Sequence, residues 1–147
     1  MSRPSRRGAG VALVLSATLG SAGATSGPAL DYAVTCQGCH RADGTGTPGT
    51  VPALAGSVGR LLRVPGGREY LVRVPGVAQS ALDDVALAAL LNWMLHRFSA
   101  EELPPDFAPY TAEEVGHGRR RPLTDVDGAR RALMEAIERQ TPAATSR

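Results

Sequence analysis

Apolar residues fall along this chain in one leading run, several short clusters and two longer amphipathic stretches. The leading run extends from Gly8 to Leu19. After Gly27, residues Ala29, Leu30, Ala33 and Val34 recur at helical spacing, which predicts a short helix entering Cys36. Gly44, Gly46, Gly49 and Pro48 then mark a loop, followed by a bend at Pro52–Gly56 with one buried leucine, Leu54. Val58 to Val64 reads as a short helical turn ended by Pro65-Gly66-Gly67. Arg68 to Val74 is a second short segment, open between helix and strand, because Tyr70, Val72 and Val74 also alternate.

The clearest helix follows. Ser80 or Asp83 caps it, Asp84 suits its dipole, and Leu82, Val85, Leu87, Ala88, Leu90, Leu91, Met94 and Leu95 give it a broad apolar surface. Glu101-Glu102 and prolines 104, 105 and 109 end it. Thr111 with Glu114 fits a capping box, and a last helix is expected from about Thr124 to Gln140, with Val126, Ala129, Leu133 and Ile137 on one face.

Charge and the N-terminus narrow the function classes. Arg3, Arg6 and Arg7 precede the leading apolar run, and Ser21-Ala22-Gly23-Ala24 follows it. That is the layout of a secretory leader with an A-x-A cleavage signal after Ala24. The run is well short of the roughly 20 residues of a membrane-spanning helix, so no stable membrane span is expected after cleavage. Every basic residue is Arg, and without the leader's three the mature chain carries thirteen against fourteen acidic residues. Such a near-neutral chain lacks the positive stripe that nucleic-acid binding needs. Arg119-Arg120-Arg121 reads as a solvated segment before Pro122.

Cys36-Gln37-Gly38-Cys39-His40 carries the chemistry. Two thiols separated by two residues can each add to a vinyl group of one porphyrin, and the adjacent histidine is then held against the iron. A structural zinc site would need a fourth ligand, and His96 and His117 lack the paired spacing for one. A redox-active dithiol would want a strand–helix setting that is missing here. A disulfide across two residues would leave His40 without a role. The pattern therefore favours covalent haem c with iron, and export to the periplasm agrees with where such thioethers form.

From about Gly27 to Phe98 the chain resembles the small monohaem class I cytochromes c. Leu30-Asp31-Tyr32 matches the aromatic-bearing helix before the attachment motif, and Leu90-Leu91-Asn92-Trp93 resembles the leucine-rich final helix ending in an aromatic. The resemblance implies that Cys36 and Cys39 bind haem covalently and that His40 is an axial iron ligand. It also implies that the backbone carbonyl of Pro52 accepts the proton of the His40 imidazole, orienting it. The expected fold is all-α, a cytochrome c fold of three to five short helices around one haem, with a partly helical C-terminal extension. The expected division is 1–24 signal peptide, 25–100 cytochrome domain and 101–147 extension.

One stretch departs from the family. A typical member offers a methionine from a loop ahead of the final helix, whereas Val74-Pro75-Gly76-Val77-Ala78-Gln79-Ser80 offers none and is short. Met94 is the candidate sixth ligand within reach of the domain, with His96 and His117 as weaker ones, and an open sixth position is the remaining arrangement. The expected function is electron transfer between redox protein partners such as a dehydrogenase or oxidase, without enzymatic activity of its own. The alternatives are a ligand-binding or catalytic haem protein with an open sixth position, or a subunit of a larger dehydrogenase.

Overall fold

In a computed structural model, residues 27–140 are described, and the expected leader lies outside them. Helix α1 (Pro28–Thr35) begins on a proline, whose fixed φ is preset for a first helical position, and runs into Cys36. A single turn, α2 (Gln37–His40), carries the second cysteine and the histidine. Two further single turns are α3 (Val58–Leu61) and α5 (Pro75–Ala78), which flank α4 (Gly67–Arg73). The longest helix, α6 (Asp84–Ser99), leads into a 3₁₀ turn at Ala100–Glu102. The extension supplies α7 (Ala112–Arg119) and α8 (Val126–Gln140). No strand occurs among the described residues, and an isolated bridge pairs Thr47 with Val51.

Residues 67–73 form a helix, with Val74 its extended C-cap, because their surroundings override the alternation of Tyr70, Val72 and Val74. Gly66 starts α4 with φ of 85°, and a Cβ on Gly67 would overlap the Leu61 carbonyl, so α4 turns back tightly against α3. Tyr70, Leu71 and Val72 are all buried, with α7 and α8 packed on α4. At the start of α6 the cap is Asp83, whose carboxylate accepts from the Ala86 amide at 2.8 Å. Ser80 instead accepts, at 3.3 Å, from the Leu82 amide in the loop before it.

α6 is the spine of the molecule, touching α1, α3 and α7. Leu87 and Leu95 of α6 are almost wholly buried together with Val72 of α4 and Val115 of α7. The extension thus contributes to the same core. Its attachment is polar as well. Asn92 of α6 accepts from the Tyr110 amide at 2.8 Å and donates to the Tyr110 carbonyl at 3.0 Å, while the Tyr110 hydroxyl donates to the Arg68 carbonyl at 2.9 Å. The Arg68 guanidinium lies over the Tyr110 ring, donates to the Ala108 and Pro109 carbonyls, and forms a two-pronged ion pair with Glu114. At the start of α7 Thr111 accepts from the Glu114 amide, as the capping pattern requires, but the Glu114 carboxylate is spent on Arg68.

Asn92→Ala removes both hydrogen bonds to Tyr110 and leaves a half-buried amide and carbonyl without partners. A loss of about 2 kcal/mol is expected, read from the midpoint of urea unfolding. Asn92→Asp keeps the acceptor for the Tyr110 amide and is expected to lose less.

Candidate functional site

The attachment motif is held at both ends. The Tyr32 hydroxyl of α1 donates to the Arg41 carbonyl at 2.7 Å, directly after α2, where Arg41 has a φ of 62°. Burial, aided by the charges of Cys36 and Asp43, pushes the Tyr32 phenol up to about 12, so it stays protonated as a donor. The Tyr32 ring lies against Trp93 and Phe98, with centroids 5.5 and 5.0 Å away, and these two rings meet each other edge to face. This aromatic contact locks α1 across α6, and it turns α2 toward a cleft beside α6.

The loop after α2 is built to return a carbonyl to His40. The Gly46 amide bonds the His40 carbonyl at 3.1 Å, Thr47 pairs with Val51, and the Leu54 amide bonds the Gly44 carbonyl at 2.7 Å. Gly46 has a φ of 68°, and any Cβ there would overlap the carbonyl oxygens of Val51 and Pro52. The chain therefore closes directly on Pro52. His40 Nδ1 donates to the Pro52 carbonyl at 3.1 Å, which fixes the tautomer and leaves Nε2 for a metal. Burial lowers the His40 pKa, opposed by that hydrogen bond, so the ring is neutral near neutral pH with Nε2 unprotonated.

His40 and Cys36 line a cleft whose other walls are mainly apolar: Leu54 from the loop, Val77 from α5, and Leu87, Leu90, Leu91 and Met94 from α6. Leu54 is half-buried, not buried as its place in the sequence suggested, because its side chain faces this cleft. Cys36 is half-buried and Cys39 exposed, and both thiols are free. Burial raises the Cys36 pKa, which keeps it a thiol. An apolar slot with the free Cys36 thiol and an oriented neutral imidazole at one wall, and the exposed Cys39 thiol three residues on at its rim outside the lining, fits a covalently attached porphyrin, with the thiols for its vinyl groups and Nε2 for its iron.

Met94 is buried and borders the same cleft, so the structure brings it together with His40. His96 and His117 are exposed and border other surfaces: His96 meets Phe107 edge to face, and His117 contacts Arg121. Sequence reasoning missed Gly76, Val77 and Ser80 as cleft-lining residues, although it singled out their segment for lacking a methionine. It also missed Arg119, whose side chain is 16% exposed and not a solvated surface arginine. The pair Gly116 and Gly118 ahead of it was the available signal.

No family model matches the chain. Two relatives, both cytochromes c-552 of Thermus thermophilus and one of them from a designated strain of that species, are each 37% identical to it over 107 residues, covering 60% of this chain. The alignment takes in 82% of the first relative and 72% of the second. Because 107 aligned positions use only 60% of a 147-residue chain, the relatives carry sequence for which this chain has no counterpart.

Proposed function

The chain belongs to the class I c-type cytochromes, haem-bearing electron carriers that are not enzymes in themselves, and from that premise we propose that it is an exported monohaem carrier with an exchangeable sixth iron position. In this reading Cys36 and Cys39 hold haem c through thioethers, and His40 Nε2 is the axial ligand. The bound group supplies a one-electron iron couple. The protein's part is positional. The Pro52 carbonyl holds the imidazole in one orientation, so His40 would present Nε2 to the iron without having to reorient. Leu54, Leu87, Leu90 and Leu91 keep water from the cleft, which limits solvent reorganisation.

The observation that carries the reading is the His40–Pro52 hydrogen bond at the wall of an apolar cleft beside two free thiols. The exchangeable sixth position rests on the cleft's other walls. Gly76, Val77 and Ser80 offer no strong iron ligand, and Met94 is anchored in the middle of α6 among leucines. A dehydrogenase subunit is the second reading for the physiological context. Against a free docking arm, residues 112–119 and 126–140 pack on α3, α4 and α6.

Residues 1–24 are assigned as a signal peptide, 25–100 as the cytochrome domain and 101–147 as the extension, with the periplasm as destination. No helix among the described residues is long and apolar enough to cross a membrane. One intact-mass measurement on periplasmic protein tests both assignments: the chain is expected to begin at or near Thr25 and to keep one haem through acid-acetone extraction. A bare polypeptide mass defeats the cofactor assignment. An N-terminus at Met1 on membrane-bound material defeats the leader.

A further inference from the structure

Helix α7 approaches the main domain more closely than ordinary side chains allow. A Cβ on Gly116 would overlap the Asp84 carboxylate, and one on Gly118 would overlap Val72. Neither glycine has positive φ, so what they provide is space. The approach sets Arg119, at the end of α7, against the segment that joins α5 to α6. Its guanidinium donates from Nε to the Ala78 carbonyl at 3.2 Å and from Nη1 to the Leu82 carbonyl at 2.8 Å. Nη1 also reaches the Asp84 carboxylate at 3.1 Å, and Nη2 donates to the Ser80 carbonyl. One side chain thus gathers three backbone carbonyls and the carboxylate at the head of α6. Only arginine carries enough donors in a rigid fork to do this; lysine offers three rotating donors on a single atom.

The gathered segment contributes Ser80 to the cleft wall and directly follows Gly76 and Val77 of α5, which complete that wall. Gly76, Val77 and Ser80 border the same space as His40 and Cys36. An exogenous ligand bound for an iron held by His40 must enter a cleft bounded by these residues, so their mobility limits its arrival. We propose that Arg119 is a positioning residue: by pinning residues 78–82 from the C-terminal extension, it governs how readily a small ligand enters the haem cleft. The inference rests on the haem assignment above. It gives the extension a task at the iron, although α7 itself does not line the cleft.

A purely stabilising arginine is the competing explanation, and Arg63 provides the comparison. From the α3 region it donates to the carbonyls of Glu101, Glu102 and Leu103, a similar clamp on a segment away from the cleft. The experiment uses full-length mature holoprotein. Cyanide association with the ferric form is followed by stopped flow, and amide exchange across residues 78–82 by mass spectrometry. Arg119→Gln is expected to speed cyanide association on the order of tenfold and to raise exchange in that segment, as loss of a multiple clamp permits local opening. Arg119→Lys should fall between, and it carries the test if the glutamine variant does not fold. Arg63→Gln should lower thermal stability without changing the cyanide rate. The proposal is overturned if exchange rises while the rate stays at the wild-type value, or if Arg63→Gln accelerates binding as much as Arg119→Gln. A wild-type mass lacking haem fails the cofactor assignment instead, and it is read before any rate.

Discussion

Replacing both Cys36 and Cys39 by serine is expected to abolish stable holoprotein, leaving no visible absorbance after purification and a far-ultraviolet circular dichroism signal well below the wild-type helix content. The reason is the composition of the cleft. Leu54, Leu87, Leu90, Leu91 and Met94 all border it, and α6, which carries four of them, is the helix on which α1, α3 and α7 pack. A fully buried leucine contributes about 1.5–3 kcal/mol. Leu87, Leu90, Leu91 and Met94 are already buried within the chain, so what the missing group removes is the contacts it would make across the cleft, set against a whole domain's stability of only roughly 5–15 kcal/mol. A cytochrome domain of this size has a thin core of its own, and a covalent apolar group completes it. The single variants Cys36→Ser and Cys39→Ser retain one thioether and should give reduced yields of coloured protein. A double variant that keeps its colour through acid-acetone would show that the thiols do not hold the haem.

At the sixth position, carbon monoxide is expected to bind the reduced protein to saturation at neutral pH, and cyanide to bind the oxidised protein readily. Each ligand should displace at most a weakly held water. The stretch before α6 turns as a short helix at Pro75–Ala78 and brings only Gly76, Val77 and Ser80 to the cleft. Met94 has the right chemistry. Its backbone, however, is fixed within a sixteen-residue helix, and its thioether shares a wall with Leu87, Leu90 and Leu91, where an unbranched apolar side chain fills space. Met94→Leu is accordingly expected to leave the ferric spectrum and carbon monoxide binding unchanged. The opposite result is equally legible: a long-wavelength band of methionine-to-iron ligation, lost in Met94→Leu, would assign Met94 as the sixth ligand and close the site. The short segment before α6 agrees with an altered ligand loop.

The sequence alone determined the elements whose cause is local. The cysteine spacing and its neighbouring histidine lie within five residues, so their chemistry is legible without a fold. Asp83 and Thr111 cap α6 and α7 through bonds to amides three residues on. The leucine pattern of α6 is likewise periodic along one helix, and it announced a buried face before any partner was known.

What the tertiary structure decided depends on residues far apart in the chain. Whether residues 68–74 coil or extend was settled by α7 and α8 burying Tyr70, Leu71 and Val72 together, a packing that two-residue alternation cannot foresee. Asn92 meets Tyr110 across eighteen residues, Arg68 meets Glu114 across forty-six, and Arg119 reaches Ala78 across forty-one. Hydrogen bonds to backbone carbonyls leave no mark on residue type at the accepting end, because every residue has a carbonyl. That is why Arg119 reads in the sequence as one of three surface arginines, while the fold makes it the clamp on a cleft wall.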